Sequence, residues 1–301
     1  MDCKLSICVI TMNRAAQLRE ALESCLACQL PEVTEFVIID NASTDDTEQA
    51  VISTLAQCGF SYYYEKMPEN LGVGGGRNYA FSKAKGEYVY ALDDDAVIDA
   101  ENTPDFFVKA LDIMDRNPDF VTLTTQIYDT AWKENRVDNS GKQISEGLYL
   151  CKMFCGGSHF LRKSFFAALP YLPNKYSYEE IPPSLRVMDA GKYNIFCSDL
   201  LVIHKPAVNK WDWTEEKNHS LRVNSLASLY AIKKMMYPGI CKPLLWAAIQ
   251  VRIHRSMRMI SNGQKRFREE VQTICDQYPI EDKIKLSTVL RMVKDFGLST
   301  F

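Results

Sequence analysis

The sequence predicts an α/β fold, with an open, mostly parallel sheet flanked by helices over residues 1–210 and an α-helical region over 211–301. Three observations carry that prediction. Short apolar runs alternate with helical patterns from Leu5 onward, and several of the runs end on a polar or acidic group. Near Trp211 the pattern becomes wholly helical, with breaks at Pro238-Gly239, Pro243 and Pro279. The charge changes at the same place, since Lys217 to Arg268 holds eleven Lys or Arg and no Asp or Glu in a chain of net charge −3. The remainder therefore carries about −14, and the two regions are expected to do different jobs.

Each element has its own signal. Leu5 to Ile10 reads as a buried strand, Thr11 to Arg14 as a loop, and Ala15 to Cys28 as a helix with Ala15, Leu18, Leu22 and Leu26 near one face. Phe36 to Asp40 is the next strand, and Asn41 to Thr47 supplies capping residues for a helix to about Leu55. Phe60 to Tyr64 is a third strand. Glu69 to Asn78, with four glycines in five residues, reads as a loop whose backbone can approach a ligand, ahead of a helix to about Lys85. Thr103 to Asn117 is a helix closed by Pro118, and Phe120 to Ile127 a strand. Residues 128–150 are polar and irregular. Met153 to Leu161 enters a strand through Gly156-Gly157, with His159 in an apolar setting that suits a core position. Pro182 and Pro183 mark a first helical turn just after Glu179-Glu180, and Tyr193 to His204 is a long strand. Helices follow near 215–236, 243–261, 263–277 and 281–296.

The stretch with most chemistry in it is Tyr88 to Ile98, where an apolar strand ends in Asp93, Asp94 and Asp95. Adjacent carboxylates at a half-buried strand end repel, and a cation resolves that conflict. Oxygen ligands on a short loop suit Mg²⁺ or Mn²⁺. The first strand is followed by no glycine-rich dinucleotide loop, and there is no Gly-Lys-Ser/Thr phosphate loop. The ten cysteines are scattered, including Cys25 and Cys28 inside a helical pattern, and read as reduced thiols of a cytoplasmic protein. Neither a secretory signal nor an apolar run long enough to span a bilayer is read in the sequence.

In order and spacing, Val9 to Arg14, Val37 to Asp45, Asn70-Leu-Gly, Gly76 to Asn78, Gly86 to Asp95, Tyr178 to Glu180 with Ser184 to Arg186, and Val202 to His204 resemble the motifs of family 2 glycosyltransferases. That resemblance covers roughly residues 4–205 and implies a GT-A fold and an inverting, metal-dependent transfer from a nucleotide-sugar donor. It implies that Thr11, Asn13 and Arg14 lie under the nucleoside and that Asp40 accepts a hydrogen bond from the base, favouring a UDP- or dTDP-sugar. Arg77 and Asn78 would face the ribose or diphosphate, Asp93 the ribose side, with Asp94 a second candidate. Asp95, Asp93 and His204 would hold Mn²⁺ or Mg²⁺, and Glu180, with Glu179 beside it, would be the general base. Family members commonly carry a further acid two residues after the base, where this chain has Pro182.

The expected acceptor is a glycan or a lipid-linked glycan in surface polysaccharide assembly. The basic segment 217–268 is expected to meet an anionic membrane surface, placing the protein at the inner face of the cell membrane. In the helix near 243–261, Leu245, Trp246, Ile249, Ile253, Met257 and Ile260 share one face, with Arg252, Arg255 and Arg258 opposite. Trp211, Trp213 and Trp246 suit an interface, sugar stacking or ordinary packing. Two alternatives are a nucleotidyltransferase that makes a sugar nucleotide and a membrane-associated scaffold that retains a nucleotide pocket. Nucleic acid is not an expected partner, since no recognised motif accompanies the basic charge.

Overall fold

The computed structural model describes residues 3–136, 141–175, 177–206, 216–256, 260 and 262–301. Trp211, Trp213, Met257 and Arg258 lie outside the described residues. Strand–helix alternation begins as expected: β1 (Leu5–Thr11), α1 (Ala15–Leu26), β2 (Thr34–Asp40), α2 (Thr47–Leu55), β3 (Ser61–Lys66), α3 (Gly72–Lys83) and β4 (Tyr88–Asp93). Next come β5 (Ala96–Ile98), α4 (Phe106–Arg116), β6 (Phe120–Asp129), β7 (Glu134–Asn135), β8 (Gln143–Ser145), β9 (Leu148–Cys151) and β10 (Ser158–Arg162). The chain closes with α5 (Ile181–Asp189), β11 (Tyr193–His204), α6 (Glu216–Met236), α7 (Lys242–Ser256), α8 (Gly263–Gln277) and α9 (Leu286–Phe296).

The strands form one mixed, mostly parallel sheet in the order β3-β2-β1-β4-β10-β6-β11-β9-β8, with β5 added to β11 and β7 to β6. Its registers decide what meets at one edge. Parallel pairing sets Thr11 opposite Asp40 and Ile10 opposite Asp93. β11 runs parallel to β6 with His204 opposite Asp129, and antiparallel to β5 with His204 opposite Ala96. The turn residue Asp95 is therefore delivered to His204 by strand pairing alone. A register shift between Cys197 and Leu201 lets β11 serve both neighbours, β9 along its first half and β5 along its second.

α4 covers the sheet with Phe106 and Phe107, which stack edge-on to Tyr90 at 5.7 and 5.2 Å. A separate core gathers α6 to α9 through residues such as Ile232, Phe267, Ile274 and Val289, and it also takes in Leu172, Ile181, Leu185 and Met188. In α7 the structure buries Leu245, Ile249 and Ile253 of the predicted face, but Trp246 lies at its margin, edge-on to Tyr230. Among the described residues no helix is long and apolar enough to cross a membrane.

The glycine run corrects the sequence reading. It is no loop, because α3 already starts at Gly72. The backbone it approaches is the chain's own: a Cβ on Gly74 would lie 1.8 Å from the Leu172 carbonyl oxygen. Gly72 has φ +73°, and a Cβ there would sit 2.7 Å from Lys175 Cα. These glycines seat α3 on the segment leading to Glu179.

Candidate active site

The carboxyl ends of β1, β2, β4 and β11 surround a cleft of about 580 Å³, lined among others by Thr11, Arg14, Asn41, Arg77, Asp93, Asp94, Asp95, Arg136, Glu179, Glu180 and His204. Asp94 and Asp95 form the turn between β4 and β5. Asp94 accepts from Thr11 Oγ1 at 2.8 Å and from Arg14 Nη1 at 2.7 Å, and the same Arg14 nitrogen reaches Asp95 Oδ2 at 2.7 Å. Burial pushes the Asp94 carboxyl up to about 6, against the pull of Arg14 and with the help of Asp95.

Asp93, Asp95 and His204 bring one ligand atom each to within 4.8 Å of one another. His204 Nε2 is 3.1 Å from Asp95 Oδ1, and its Nδ1 is 3.0 Å from Asp129 Oδ2. The Nδ1 edge faces both Asp129 Oδ2, an acceptor, and Arg136 Nη2, a donor, each at 3.0 Å, and this pair of contacts fixes the ring with Nε2 turned toward Asp95. Two carboxylates and an imidazole nitrogen form a donor set that fits Mn²⁺ or Mg²⁺. Arg136 pairs with Asp129 through Nε at 2.9 Å and Nη2 at 2.7 Å, and its guanidinium stacks over Trp132.

Across the cleft, Arg77 is buried and donates to Asp93 Oδ1 at 2.7 Å and, through Nη1, to Glu179. Gly156 and Gly157 make room for this bridge, since Cβ atoms there would lie 2.6 Å from Arg77 Nη1 and 3.1 Å from Asp93 Oδ2. Glu180 caps α5, with Pro in the helix's first turn as expected. Burial, then the charge of Glu179, drives the Glu180 carboxyl well above the ordinary glutamate range. Ser177 and Tyr178, just before the pair, both hold positive φ, at 44° and 69°. Two non-glycine residues in that region in a row are a local strain that the packing of this loop sustains.

Of the residues singled out in the sequence, Thr11, Arg14, Arg77, Asp93, Asp94, Asp95, Glu179, Glu180 and His204 line this one cleft. Asn13, Asp40 and Asn78 are not in its lining, and each is occupied by local structure. Asn13 Oδ1 accepts from the Thr44 N–H at 2.7 Å, tying two strand-end loops together. Asp40 is buried, with one oxygen on the Ser43 N–H at 2.7 Å and the other on the Tyr64 hydroxyl at 2.9 Å. Asn78 bonds both backbone groups of Tyr171. His159 is a core residue, driven down to about 3 by burial, with Nε2 2.6 Å from the Tyr171 hydroxyl.

Sequence reasoning missed Asp129, Arg136 and Asn41. Asn41 lines the cleft, and its Oδ1 is buried with no partner among the described residues. The signal for Asn41 was its place directly after the strand-end Asp40. Asp129 and Arg136 lay in the stretch read as irregular.

An open α/β sheet with an acidic turn, a strand-end histidine and a glutamate pair around one cleft is the architecture of a GT-A glycosyltransferase. The sequence profile of glycosyl transferase family 2 matches residues 6–169, just over half of the chain, and the chain belongs to that family. The chain is 32% identical over 92 residues to the GalNAc(5)-diNAcBac-PP-undecaprenol β-1,3-glucosyltransferase of Campylobacter jejuni, a stretch spanning 31% of this chain and 29% of that enzyme. Its fold is similar to that of the mannosyltransferase PcManGT from Pyrobaculum calidifontis, solved with GDP-Man and Mn²⁺ (TM-score 0.60, 16% identity, 100% of this chain and 81% of that one). It is equally similar to S. aureus TarS 1-349 with UDP-GlcNAc (TM-score 0.60, 16% identity, 99% and 89%).

Proposed function

We propose that this protein transfers a sugar, with inversion, from a nucleotide-diphosphate sugar to a hydroxyl of a glycan or lipid-linked glycan. The observation that carries the reading is convergence: Asp93, Asp95 and His204 meet on the wall of the cleft that Glu180 also lines. Asp95, His204 and Asp93 would hold Mn²⁺ or Mg²⁺, which when bound supplies positive charge to the departing diphosphate. The acceptor oxygen attacks the anomeric carbon, the bond from that carbon to the diphosphate oxygen breaks, and Glu180 takes the hydroxyl proton. A carboxylate with a raised pKa suits that task near neutrality. Arg77 holds Glu179 and Asp93 together, fixing the base-bearing loop against the metal-bearing strand.

The nucleoside end is assigned to Thr11, Arg14 and Asn41. Asn41, next to Asp40 and in the cleft's lining, would take over the base contact expected of Asp40 by turning its buried, unmatched Oδ1 outward. An acceptor atom suits a ring that presents an N–H, as uracil, thymine and guanine do. Neighbours of this fold carry GDP-Man in one case and UDP-GlcNAc in another, so the fold does not choose the nucleotide.

A melting-temperature screen of UDP-, dTDP- and GDP-sugars with and without Mn²⁺ tests the reading. One donor should stabilise the protein only with metal, by about 2.7 kcal/mol when present at a hundredfold excess over its Kd. No stabilisation by any pair, or synthesis of a sugar nucleotide from nucleoside triphosphate and sugar phosphate, would sink it.

A further inference from the structure

α7 is apolar on two opposite sides. Its inner stripe of Leu245, Ile249 and Ile253 is buried in the helical core. A second stripe, Leu244, Ala247 and Val251, recurs at helical spacing on the outer side, with Ile240 in the turn that enters the helix. Ile240, Leu244 and Val251 are 74%, 51% and 51% exposed. A helix that covers a core in water turns polar residues outward, so this outer stripe needs another explanation. Exposed Lys242 and Arg255 bound it at either end. It also sits inside the 217–268 segment that holds eleven Lys or Arg and no acid.

We infer that the outer face of α7 docks on an anionic lipid surface, with Leu244, Ala247, Val251 and Ile240 entering the headgroup boundary and the flanking bases meeting lipid charge. Apolar contact alone would serve a second copy of the chain as well. A two-fold contact, however, would set one basic segment against its own image, and like charges there repel. An anionic bilayer offers the opposite sign to the exposed bases that flank the stripe, Lys242 and Arg255. The inference is independent of the glycosyl-transfer reading, because it uses no residue of the cleft.

Co-sedimentation of the full chain with vesicles tests it without donor or metal. Binding is expected to mixed phosphatidylcholine and phosphatidylglycerol at low salt, and should weaken with phosphatidylcholine alone or at high salt. The double substitution Leu244→Ser and Val251→Ser should lower affinity for the mixed vesicles about tenfold or more. Lys242→Gln and Arg255→Gln should each lower it about fivefold. The replaced side chains are exposed, so an unchanged melting temperature separates lost docking from lost folding. No binding of the wild type at low salt, or undiminished binding of the double serine variant, would overturn the inference. Light scattering that shows a dimer dissolved by the same substitutions would replace it with self-association.

Discussion

Asp129 is fully buried between His204 and Arg136, and its two neighbours fix what it does. Held on Nδ1, the imidazole can present only Nε2 to a cation. Asp129→Asn keeps the shape and removes the charge, so Mn²⁺ affinity should fall ~10–100-fold. Nucleotide affinity measured without metal should stay near wild type, which a general loss of structure would not allow. A Mn²⁺ titration followed by electron paramagnetic resonance reads the difference, and unchanged metal affinity would remove this positioning role. Glu180 makes two predictions at once. Glu180→Gln should cost ~10²–10⁴-fold in transfer. Wild-type rate should rise with pH as Glu180 loses its proton. Stability moves the other way. The folded state holds the Glu180 proton more tightly than the unfolded chain, so this contribution is complete below the ordinary value of 4.5 and is lost as pH climbs through the folded value. The glutamine variant escapes that loss, so it should melt above wild type near neutrality, with the gap closing toward pH 4.5. A variant that melts lower at neutral pH would mean the charged form of Glu180 is already well accommodated.

At the scale of elements, the place of α3's glycine run was legible in the sequence and its packing against the chain's own backbone was not. A glycine cluster ahead of a helix looks like a cradle for an anion, yet its tightest contact is with Leu172 of the same chain. Gly74→Ala would drive a methyl into that backbone carbonyl, which cannot move aside as a side-chain tip could, and should cost about 1–3 kcal/mol or more. Urea denaturation would measure it, and a loss within experimental error would show that the 172–175 segment yields. Strand ends were legible because a short continuous apolar run that stops on Asp93 or His204 announces both the strand and its margin. The proline breaks of the C-terminal region were legible for similarly local reasons. What stayed hidden depended on pairing between distant strands. Reading the β6 strand as ending at Ile127 left Asp129 outside it, whereas the β6–β11 register puts Asp129 beside His204. Asp40 and Asn78 differ in the opposite sense: each has the expected residue type at the expected offset, yet neither is in the cleft's lining and each is bonded by its own surroundings. Sequence spacing says which side chains reach an edge, and not which of them are left free when they arrive.

At the scale of the whole molecule, the question is whether the helical region past residue 210 is an appendage or part of the machine. α5 answers from both ends. Its cap, Glu180, lines the cleft, while Ile181, Leu185 and Met188 are buried in the same core as α6 to α9. The helix packs against both β11 and α6. Loosening the helical core should therefore displace the base-bearing turn, and the molecule should melt as one cooperative unit. Phe267 lies in that core, fully buried. Phe267→Ala should cost about 3–5 kcal/mol. For a chain of this size that lowers the melting temperature by roughly 5–8 °C. Calorimetry should show one transition shifted as a whole, and donor binding should disappear along it instead of outlasting it. Two separated transitions, with donor and Mn²⁺ still bound after the first, would show that the sheet keeps its cleft without the helices and that α5 does not couple them.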